Sequence, residues 1–492
     1  MDILLKILLF FILIIKNDTI NLESKYDCWG YEENCQFNSS YSFNKIKCKK
    51  DILIENKKLF FQQGDFGYII PHISSLKTIC DSGNQYDGSF LQCSDHLRYC
   101  TGKNIFFDLK SLDLKTAKRY KEDVIHRGEV GGNCKEKFDQ KLLKNRCDQK
   151  SYLQSWGHEL EYFESYKNFE INNNNCDIIF EKPTIIIKLD ASVNMYHHFC
   201  DFLNLYASQH INKTFNLDVD ILWWDTSVQG YVDDIFGDVW KGFSYYKPKE
   251  LIHYRGKKLC FKNVMFPLLA RQIMGLFYNT PIVEGCSGTG LFNSFSHHLI
   301  ERLNISQYGP KLNKLRVTFL SRSTNYRRIL NVNKLVELLK NDFNEELEVQ
   351  LVDYNSKIPF LKQIEISHNT DIFIGIHGSG LTHLLFLPDW AAIFEIYNCD
   401  DPNCYSDLAR LRGVKYFTWP RHLIEKGIKP LLPSINQPKD IPHKKFLNYN
   451  VDEELFKKEF IKIKEYVKRH PLYVDGRRKI RRNNAINKKK EL

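Results

Sequence analysis

The sequence predicts a mixed α/β chain whose second half forms a doubly wound sheet of parallel strands. Short apolar runs typical of buried strands alternate there with amphipathic stretches typical of helices, in the order βαβαβαβ. The clearest strand, Ile372–Ile376, is followed at once by a small-residue turn, and a second apolar run covers 391–396. This alternation favours parallel strands covered by helices on both faces.

The turn after the first of these strands, His377-Gly378-Ser379-Gly380, is where an open α/β sheet builds an anion site. Glycines let the backbone approach a ligand, and the N–H groups at the start of the next helix favour phosphate. An acidic residue at the end of the next strand, here Glu395, is placed to accept ribose hydroxyls. The alternative is a tight turn that binds nothing, because G-S-G is a weak pattern.

The first strand of this half, predicted over 316–320, leads directly into S-R-S-T-N-Y-R-R at 321–328. Arg322 therefore follows the carboxyl end of a strand, which faces the ligand crevice in open sheets. A planar guanidinium suits bidentate binding of phosphate, and the alternative is an exposed basic loop. The other elements predicted in this half are a strand over 348–352 and helices over 333–339, 359–366 and 451–470.

The first half is predicted to contain strands over 184–189, 219–224 and 260–267, and helices over 194–212 and 291–303. On the first of these helices His198 and Asp201 share a face, since they are three residues apart. A histidine and a carboxylate at the start of a helix after a strand suit a catalytic base. The alternative is an acidic residue that complements the helix dipole beside a satisfied histidine. Asp218-Val219-Asp220 has the form of a metal-binding D-x-D, but it precedes its strand.

The length and charge of the chain limit the number of domains and the kind of partner to expect. A chain of 492 residues is long enough for two domains. The net charge of +11 is uneven, because the stretch from Lys468 to Lys490 is strongly basic. Such a stretch is typical of a solvated end, so nucleic acid is not the expected partner.

Several features predict a secretory route. Residues 1–17 resemble a signal peptide, and no other segment is apolar for long enough to cross a membrane. The fourteen cysteines predict disulfides, with Cys399 and Cys404 expected to pair. Glycosylation sequons begin at Asn38, Asn212 and Asn304. Trp156 is expected to be a core anchor.

From about Cys28 to its end, the sequence resembles glycosyltransferase family 61, in particular members that act on EGF-like domains. The segments that carry the resemblance are CWGYE, LQSW, YHHFCDFLNLY, WWDTS, GLFYNTP, SRSTNYRRILN, HNTDIFIGIHGSGLTHLLFLPDWAAIFEIYNC and DLARLRGVKYFTWP. The resemblance implies a GT-B-like α/β fold with two Rossmann-like lobes facing a cleft and a cysteine-rich N-terminal part. It also implies an inverting transfer of N-acetylglucosamine from UDP-N-acetylglucosamine to Ser or Thr of folded EGF-like domains, with Mn²⁺ as an open question.

The same resemblance assigns roles and boundaries. Asp201 or His198 is implied as the base, and the implied nucleotide-sugar ligands are Arg322, Ser323, His377, Gly378, Ser379, Gly380, Thr382 and Glu395. The expected divisions are a signal peptide (1–20), a cysteine-rich segment with the first, acceptor-side lobe (21–310), a second, donor-side lobe (311–445), a helix packing back (446–472) and a basic tail (473–492). The chain ends in Lys489-Lys490-Glu491-Leu492, similar to K-D-E-L, which implies the endoplasmic reticulum lumen and a retrieval receptor.

One departure from the family pattern leaves other readings open. Relatives carry D-Y-D where this chain has Tyr245-Tyr246-Lys247. The loss of both carboxylates raises the alternative of a catalytically weak lumenal protein that binds EGF-like domains. A further alternative is a family 61 transferase with another acceptor.

Overall fold

A computed structural model describes residues 46–83, 88–112, 124–225, 233, 235–272, 275–276, 281, 283–396, 403–431 and 444–490. It confirms a mixed α/β chain, with two main sheets and two small ones. Its helices are Ile54–Gly64, Ile70–Ser74, Gln140–Arg146, Gly157–Leu160, Met195–Asn212, Gly290–Arg302, Val332–Asp342, Phe360–His368, Cys404–Arg412, Ile424–Gly427, Glu453–Lys468 and Pro471–Lys490. The small sheets pair Lys47–Cys48 with Cys286–Ser287 and Ile428–Leu431 with Asn448–Val451.

The second half forms a five-stranded sheet, here called the parallel sheet, in which every pair of neighbours is parallel. Its strands in spatial order are Leu347–Val352, Leu315–Leu320, Ile372–Ile376, Ala392–Ile396 and Lys415–Thr418. In chain order this is 2-1-3-4-5, so the direction of winding reverses between the first and third strands. Ligands of doubly wound sheets bind beyond the carboxyl ends of the strands at this reversal.

The first half forms the large sheet, a mixed sheet of eleven strands among the described residues. They are Lys77–Asp81, Phe90–Cys93, Cys100–Asp108, Val130–Gly132, Lys137–Phe138, Glu164–Ser165, Ile178–Phe180, Thr184–Ile187, Asp220–Trp223, Lys249–Glu250 and Lys258–Phe266. Thr184–Ile187 runs parallel to its neighbours on both sides, whereas the strands of the cysteine-rich segment extend the sheet mainly in antiparallel pairs.

Disulfides tie this half together, as the cysteine content predicted. They join Cys48 to Cys286, Cys80 to Cys134, Cys93 to Cys100 and Cys176 to Cys260. The expected Cys399–Cys404 pair lies partly outside the described residues, as do Asn38, the signal-like segment, Glu491 and Leu492. Trp156 is fully buried and donates its indole N–H to the carbonyl of Pro267 at 2.8 Å, which confirms it as a core anchor.

The helix Met195–Asn212, here called the cleft helix, connects the two sheets. Its Phe199 packs edge-on against Phe386 at 5.7 Å between ring centroids and lies 6.0 Å from Phe360, and both partners belong to the second half. One buried apolar cluster therefore runs from the large sheet into the parallel sheet. Such a shared core fixes the first turn of the cleft helix against the carboxyl edge of the parallel sheet.

The predicted helices and strands named above are confirmed to within two or three residues at their ends. The basic end is solvated as expected, since residues 478–486 are exposed, but it is also helical over Pro471–Lys490. Proline is favoured at the first helical position, and arginine and lysine are good helix formers. In the described part of the chain, no helix is both long enough and apolar enough to cross a membrane.

Candidate active site

The loop at 321–328 brings cationic groups to the reversal point of the parallel sheet. Arg322 follows the strand Leu315–Leu320, and its Nε donates to Thr324 Oγ1 at 3.3 Å. Burial lowers the pKa of the Arg322 guanidinium, and the neighbouring Arg327 lowers it further. Two guanidinium groups held close together favour a bound anion, which would relieve their repulsion.

The glycine turn at 377–380 lies against this loop. A Cβ atom added to Gly378 would collide with Nη1 of Arg322, so only glycine allows this approach. The guanidinium of Arg327 reaches the carbonyl of His377 at 3.5 Å. Ser379–Phe386 forms a 3₁₀ helix, and the N–H groups that begin it lack intrahelical acceptors.

These segments enclose one side of a cavity of about 290 Å³, here called the cleft cavity. Its lining from the parallel half includes Arg322, Ser323, Gly378, Ser379 and Gly380. Val193, Met195, Ile235 and Phe236 line the other side, and all four follow strands of the large sheet. The carboxyl ends of both sheets thus meet at this cavity, whose volume is close to the lower end for ligand pockets.

Three predicted ligand residues, His377, Thr382 and Glu395, do not belong to the cavity lining. The side chain of Glu395 is only 2% exposed, and its two oxygens lie 2.5 Å from His377 Nδ1 and 2.6 Å from the hydroxyl of Tyr416. Thr382 is fully buried. Glu395 therefore orients His377, and its position gives no support to the expected contact with ribose. Tyr405 packs edge-on against both His377 and Tyr196, linking the glycine turn to the cleft helix.

The predicted base pair, His198 and Asp201, is also buried. His198 Nδ1 lies 3.1 Å from Asp201 and Nε2 lies 2.8 Å from Asp233, and all three side chains are fully buried. Burial would lower the pKa of His198, but these two carboxylates outweigh it and raise the pKa to about 8. Burial raises the pKa of Asp201 to about 6. A charged imidazole enclosed in this way suits a structural role better than proton abstraction.

A neighbouring cluster that the sequence analysis missed includes a partly exposed histidine. Asp190 Oδ2 lies 2.9 Å from His197 Nδ1, and Asp190 also accepts two hydrogen bonds from the Arg271 guanidinium, at 3.1 and 2.7 Å. The side chain of His197 is 30% exposed, whereas that of His198 is not exposed at all. Burial would raise the pKa of Asp190, but hydrogen bonds from His197 and Arg271 hold the pKa below its usual value.

The position of Asp190 in the chain was the available signal. It follows the carboxyl end of the strand Thr184–Ile187, as Arg322 follows its own strand. The buried Asp201 accepts the backbone N–H of Asp190 at 3.1 and 3.2 Å. The predicted residues therefore hold Asp190 in place from behind.

The L-Q-S-W segment at 153–156 lies beside this cluster. Lys188 forms a buried ion pair with Glu159 at 3.0 Å and donates to the carbonyl of Ser155, also at 3.0 Å. Arg271 donates its backbone N–H to the carbonyl of Leu153 at 2.9 Å. Removing one partner from an ion pair buried this fully costs much free energy. The pair therefore fixes the segment firmly.

The D-x-D pattern, Asp218 to Asp220, lies at the amino end of the strand Asp220–Trp223, opposite the carboxyl ends that face the cleft cavity. Asp218 accepts a hydrogen bond from Tyr246 at 2.8 Å and pairs with Lys182, while Asp220 pairs with Lys249 at 2.9 Å. Tyr246 therefore stands near the amino end of Asp220–Trp223, away from the cleft cavity. No group of three His, Cys, Asp or Glu placed to hold a metal occurs within the described ranges.

The fold, the cavity and the paired charges are those of an α/β protein with a cleft where two sheets meet, and comparison with known proteins identifies the class. The model of the family described as Glycosyltransferase 61 matches residues 195–394, from the cleft helix through most of the fourth parallel strand. The chain belongs to glycosyltransferase family 61, and it is a transferase enzyme.

The similar relatives carry one name, EGF domain-specific O-linked N-acetylglucosamine transferase. The protein of Bos taurus is 47% identical over 461 residues, covering 92% of this chain and 84% of the relative. The protein of Gallus gallus is 47% identical over 443 residues, covering 88% and 80%. The protein of Drosophila melanogaster is 43% identical over 443 residues, covering 87% and 82%.

Proposed function

We propose that this enzyme transfers N-acetylglucosamine from UDP-N-acetylglucosamine to Ser or Thr hydroxyls of folded EGF-like domains, with inversion, in the endoplasmic reticulum lumen. The names of the relatives support the sugar and the acceptor. The observation that carries the proposal is the cleft cavity, where Arg322 meets the glycine turn on one side and the cleft helix lies on the other. Its two sides correspond to the lobes of a GT-B arrangement.

In this proposal the parallel sheet holds the donor. The Arg322 guanidinium and the first N–H groups of Ser379–Phe386 bind the diphosphate, with Ser323 at the rim. These groups stabilise the charge that develops on UDP as the bond to the sugar breaks. Stabilisation of a leaving group by fixed donors is commonly the largest contribution to catalysis. Glu395 keeps His377 oriented within the turn.

The large sheet supplies the proton acceptor. Donation from His197 Nδ1 to Asp190 makes Nε2 the acceptor nitrogen of the neutral ring, which is the arrangement of a carboxylate-oriented base. His197 then removes the proton of the Ser or Thr hydroxyl as that oxygen attacks from the side opposite UDP. The buried pair of Asp201 and His198 positions Asp190. The segment 153–156, held against Arg271, is the adjoining surface for the acceptor domain.

Asp353 provides the one carboxylate in the described lining of the cleft cavity that could bind a divalent metal. Nucleotide-bound metals often take one or two protein carboxylates and complete their shell with phosphate oxygens and water. Asp353 is thus the residue that would hold Mn²⁺, which would supply additional charge neutralisation. Lumenal residence is supported by the four disulfides and by the exposed sequon at Asn304.

The test is transfer from radiolabelled UDP-N-acetylglucosamine to a folded EGF-like domain, with its reduced form as the matched control and with and without Mn²⁺. We expect transfer to the folded domain only. Binding of UDP without transfer would instead favour the non-catalytic alternative, whose only support is the missing acidic pair near Tyr246. Transfer to glycans but not to the domain would favour another acceptor.

A further inference from the structure

His383 is a buried histidine of the cleft cavity to which neither the sequence nor the proposed mechanism gives a role. It lies on the 3₁₀ helix Ser379–Phe386, is only 2% exposed and contributes to the cavity lining. Its ring lies 4.3 Å from that of Tyr354 and 5.6 Å from that of Phe360, measured between centroids. These two aromatic neighbours hold the plane of the imidazole.

The hydrogen bonding of His383 fixes its tautomer. Nδ1 lies 2.9 Å from the carbonyl oxygen of Gly380, which only accepts hydrogen bonds, so Nδ1 carries the proton. Burial lowers the pKa of His383 to about 4, and the ring is therefore neutral at physiological pH. It follows that Nε2 presents a lone pair and no proton.

This acceptor nitrogen is buried and has no hydrogen-bond partner among the residues that the structure describes. Leaving a buried polar atom without a partner is energetically costly, so most such atoms are satisfied by protein, water or ligand. Tyr354 directs its hydroxyl to Ser367 at 2.9 Å. His383 lines the same cavity as Arg322 and Gly378.

We propose that His383 Nε2 accepts a hydrogen bond from an N–H or O–H group of the nucleotide sugar and thereby selects the donor. This inference rests on the proposed function. It adds a group that binds an uncharged part of the nucleotide sugar, whereas Arg322 binds the charged diphosphate. The donated hydrogen comes from the uracil imide, the acetamido N–H or a sugar hydroxyl. A site with a buried acceptor discriminates strongly against a ligand that leaves it unpaired.

The experiment measures dissociation constants of UDP, UDP-N-acetylglucosamine and UDP-glucose by calorimetry for the full chain and its variants. His383→Asn keeps a donor for the carbonyl of Gly380 but is too short to place an acceptor at the Nε2 position. His383→Phe keeps the aromatic volume, and His383→Gln restores an acceptor near that position. His368→Asn is the matched control, because His368 also bonds a backbone carbonyl, that of Phe386 at 2.9 Å, yet does not line the cavity.

We expect His383→Asn and His383→Phe to weaken binding by about tenfold or more, with partial recovery in His383→Gln and no change in His368→Asn. A loss for all three ligands identifies the uridine part, through its uracil imide or a ribose hydroxyl, as the hydrogen donor. A loss for UDP-N-acetylglucosamine alone identifies the acetamido group, and a loss for both sugar nucleotides but not UDP identifies a hydroxyl.

Wild-type affinity for all three ligands in a folded His383→Asn protein would overturn this inference and leave the proposed function standing. Failure of the wild-type protein to bind any of the three would overturn both. Melting temperatures of each variant separate loss of the contact from loss of the fold. If His383→Phe does not fold, the comparison of His383→Asn with His383→Gln still decides the result.

Discussion

The two sheets offer opposite chemistry where they meet. The carboxyl edge of the parallel sheet presents Arg322 and Arg327 beside a glycine turn, whereas that of the large sheet presents Asp190 and His197. A cationic edge suits a diphosphate and an acidic, imidazole-bearing edge suits proton removal. In the proposed mechanism each sheet therefore contributes one half of the transfer reaction, and substitutions on the two edges are expected to cause different kinds of loss.

The largest expected effect comes from the cationic edge. Arg322→Ala removes the guanidinium packed against Gly378, and we expect kcat/KM for transfer to fall about a thousandfold, since one preorganised donor typically contributes 10²–10³ or more. The measurement is the initial rate of sugar transfer over a range of donor concentrations. Arg328→Ala is the control, because Arg328 lies on the same loop but does not line the cleft cavity. Equal losses in both variants would remove the special role of Arg322.

On the acidic edge, His197→Ala removes the nitrogen that Asp190 orients. We expect kcat to fall about a hundredfold, the lower end of what a positioned base contributes, with little change in the affinity for UDP. Single-turnover rates separate this loss from slower product release. The exposed His253 provides the control variant His253→Ala. A His197→Ala protein with full kcat would show that the proton leaves by another route.

The adjacent His198 is expected to affect stability rather than rate. Its pKa of about 8 in the folded protein exceeds the ordinary value of 6.5, so the folded state binds the proton more tightly. The resulting stabilisation is complete below pH 6.5 and is lost as pH rises through 8, by about 2 kcal/mol. We expect the free energy of unfolding of the wild-type protein, taken relative to that of His198→Asn, to fall over this range by most of that amount.

Urea unfolding at pH 6.5 and 8.5 provides the measurement, with His253→Asn as the control. Burial also lowers the pKa of other histidines, among them His72 and His383 to about 4 and His298 to about 3. These rings are the same in the wild-type protein and in His198→Asn, so the difference between the two proteins isolates the contribution of His198. A difference that does not shrink between pH 6.5 and 8.5 would contradict the enclosed, charged imidazole.

The smallest effect on transfer is expected near the amino end of the strand Asp220–Trp223 in the large sheet. Restoring the acidic pattern with Tyr245→Asp and Lys247→Asp changes charge near Asp218, away from the cleft cavity. We expect kcat/KM to stay within about twofold, because charges separated by more than a Debye length are largely screened in salt. Rates with and without Mn²⁺ test this. A large gain would place the acidic pair in the reaction and weaken the contrast between the two edges.

The sequence predicts the candidate site better at the carboxyl edge of the parallel sheet than at that of the large sheet. Strand ends followed by Arg322 and by the glycine turn are local patterns, so the sequence was enough to bring them together. The roles of His197 and His198 are not local, because Asp233 and Arg271 decide which of two adjacent histidines is enclosed. Likewise, Glu395 is covered because Tyr416 of the next strand reaches it. Burial of a polar side chain depends on distant partners, which periodicity does not reveal.

In the proposed mechanism the parallel sheet binds the donor and the large sheet removes the proton. The most direct test of this division of roles compares UDP binding and sugar transfer in Arg322→Ala and His197→Ala, each measured on the same folded preparation. The division predicts that Arg322→Ala loses UDP affinity together with transfer, whereas His197→Ala binds UDP as the wild-type protein does and loses transfer alone. Equal affinity for UDP in both variants, or loss of UDP binding in His197→Ala, would contradict it.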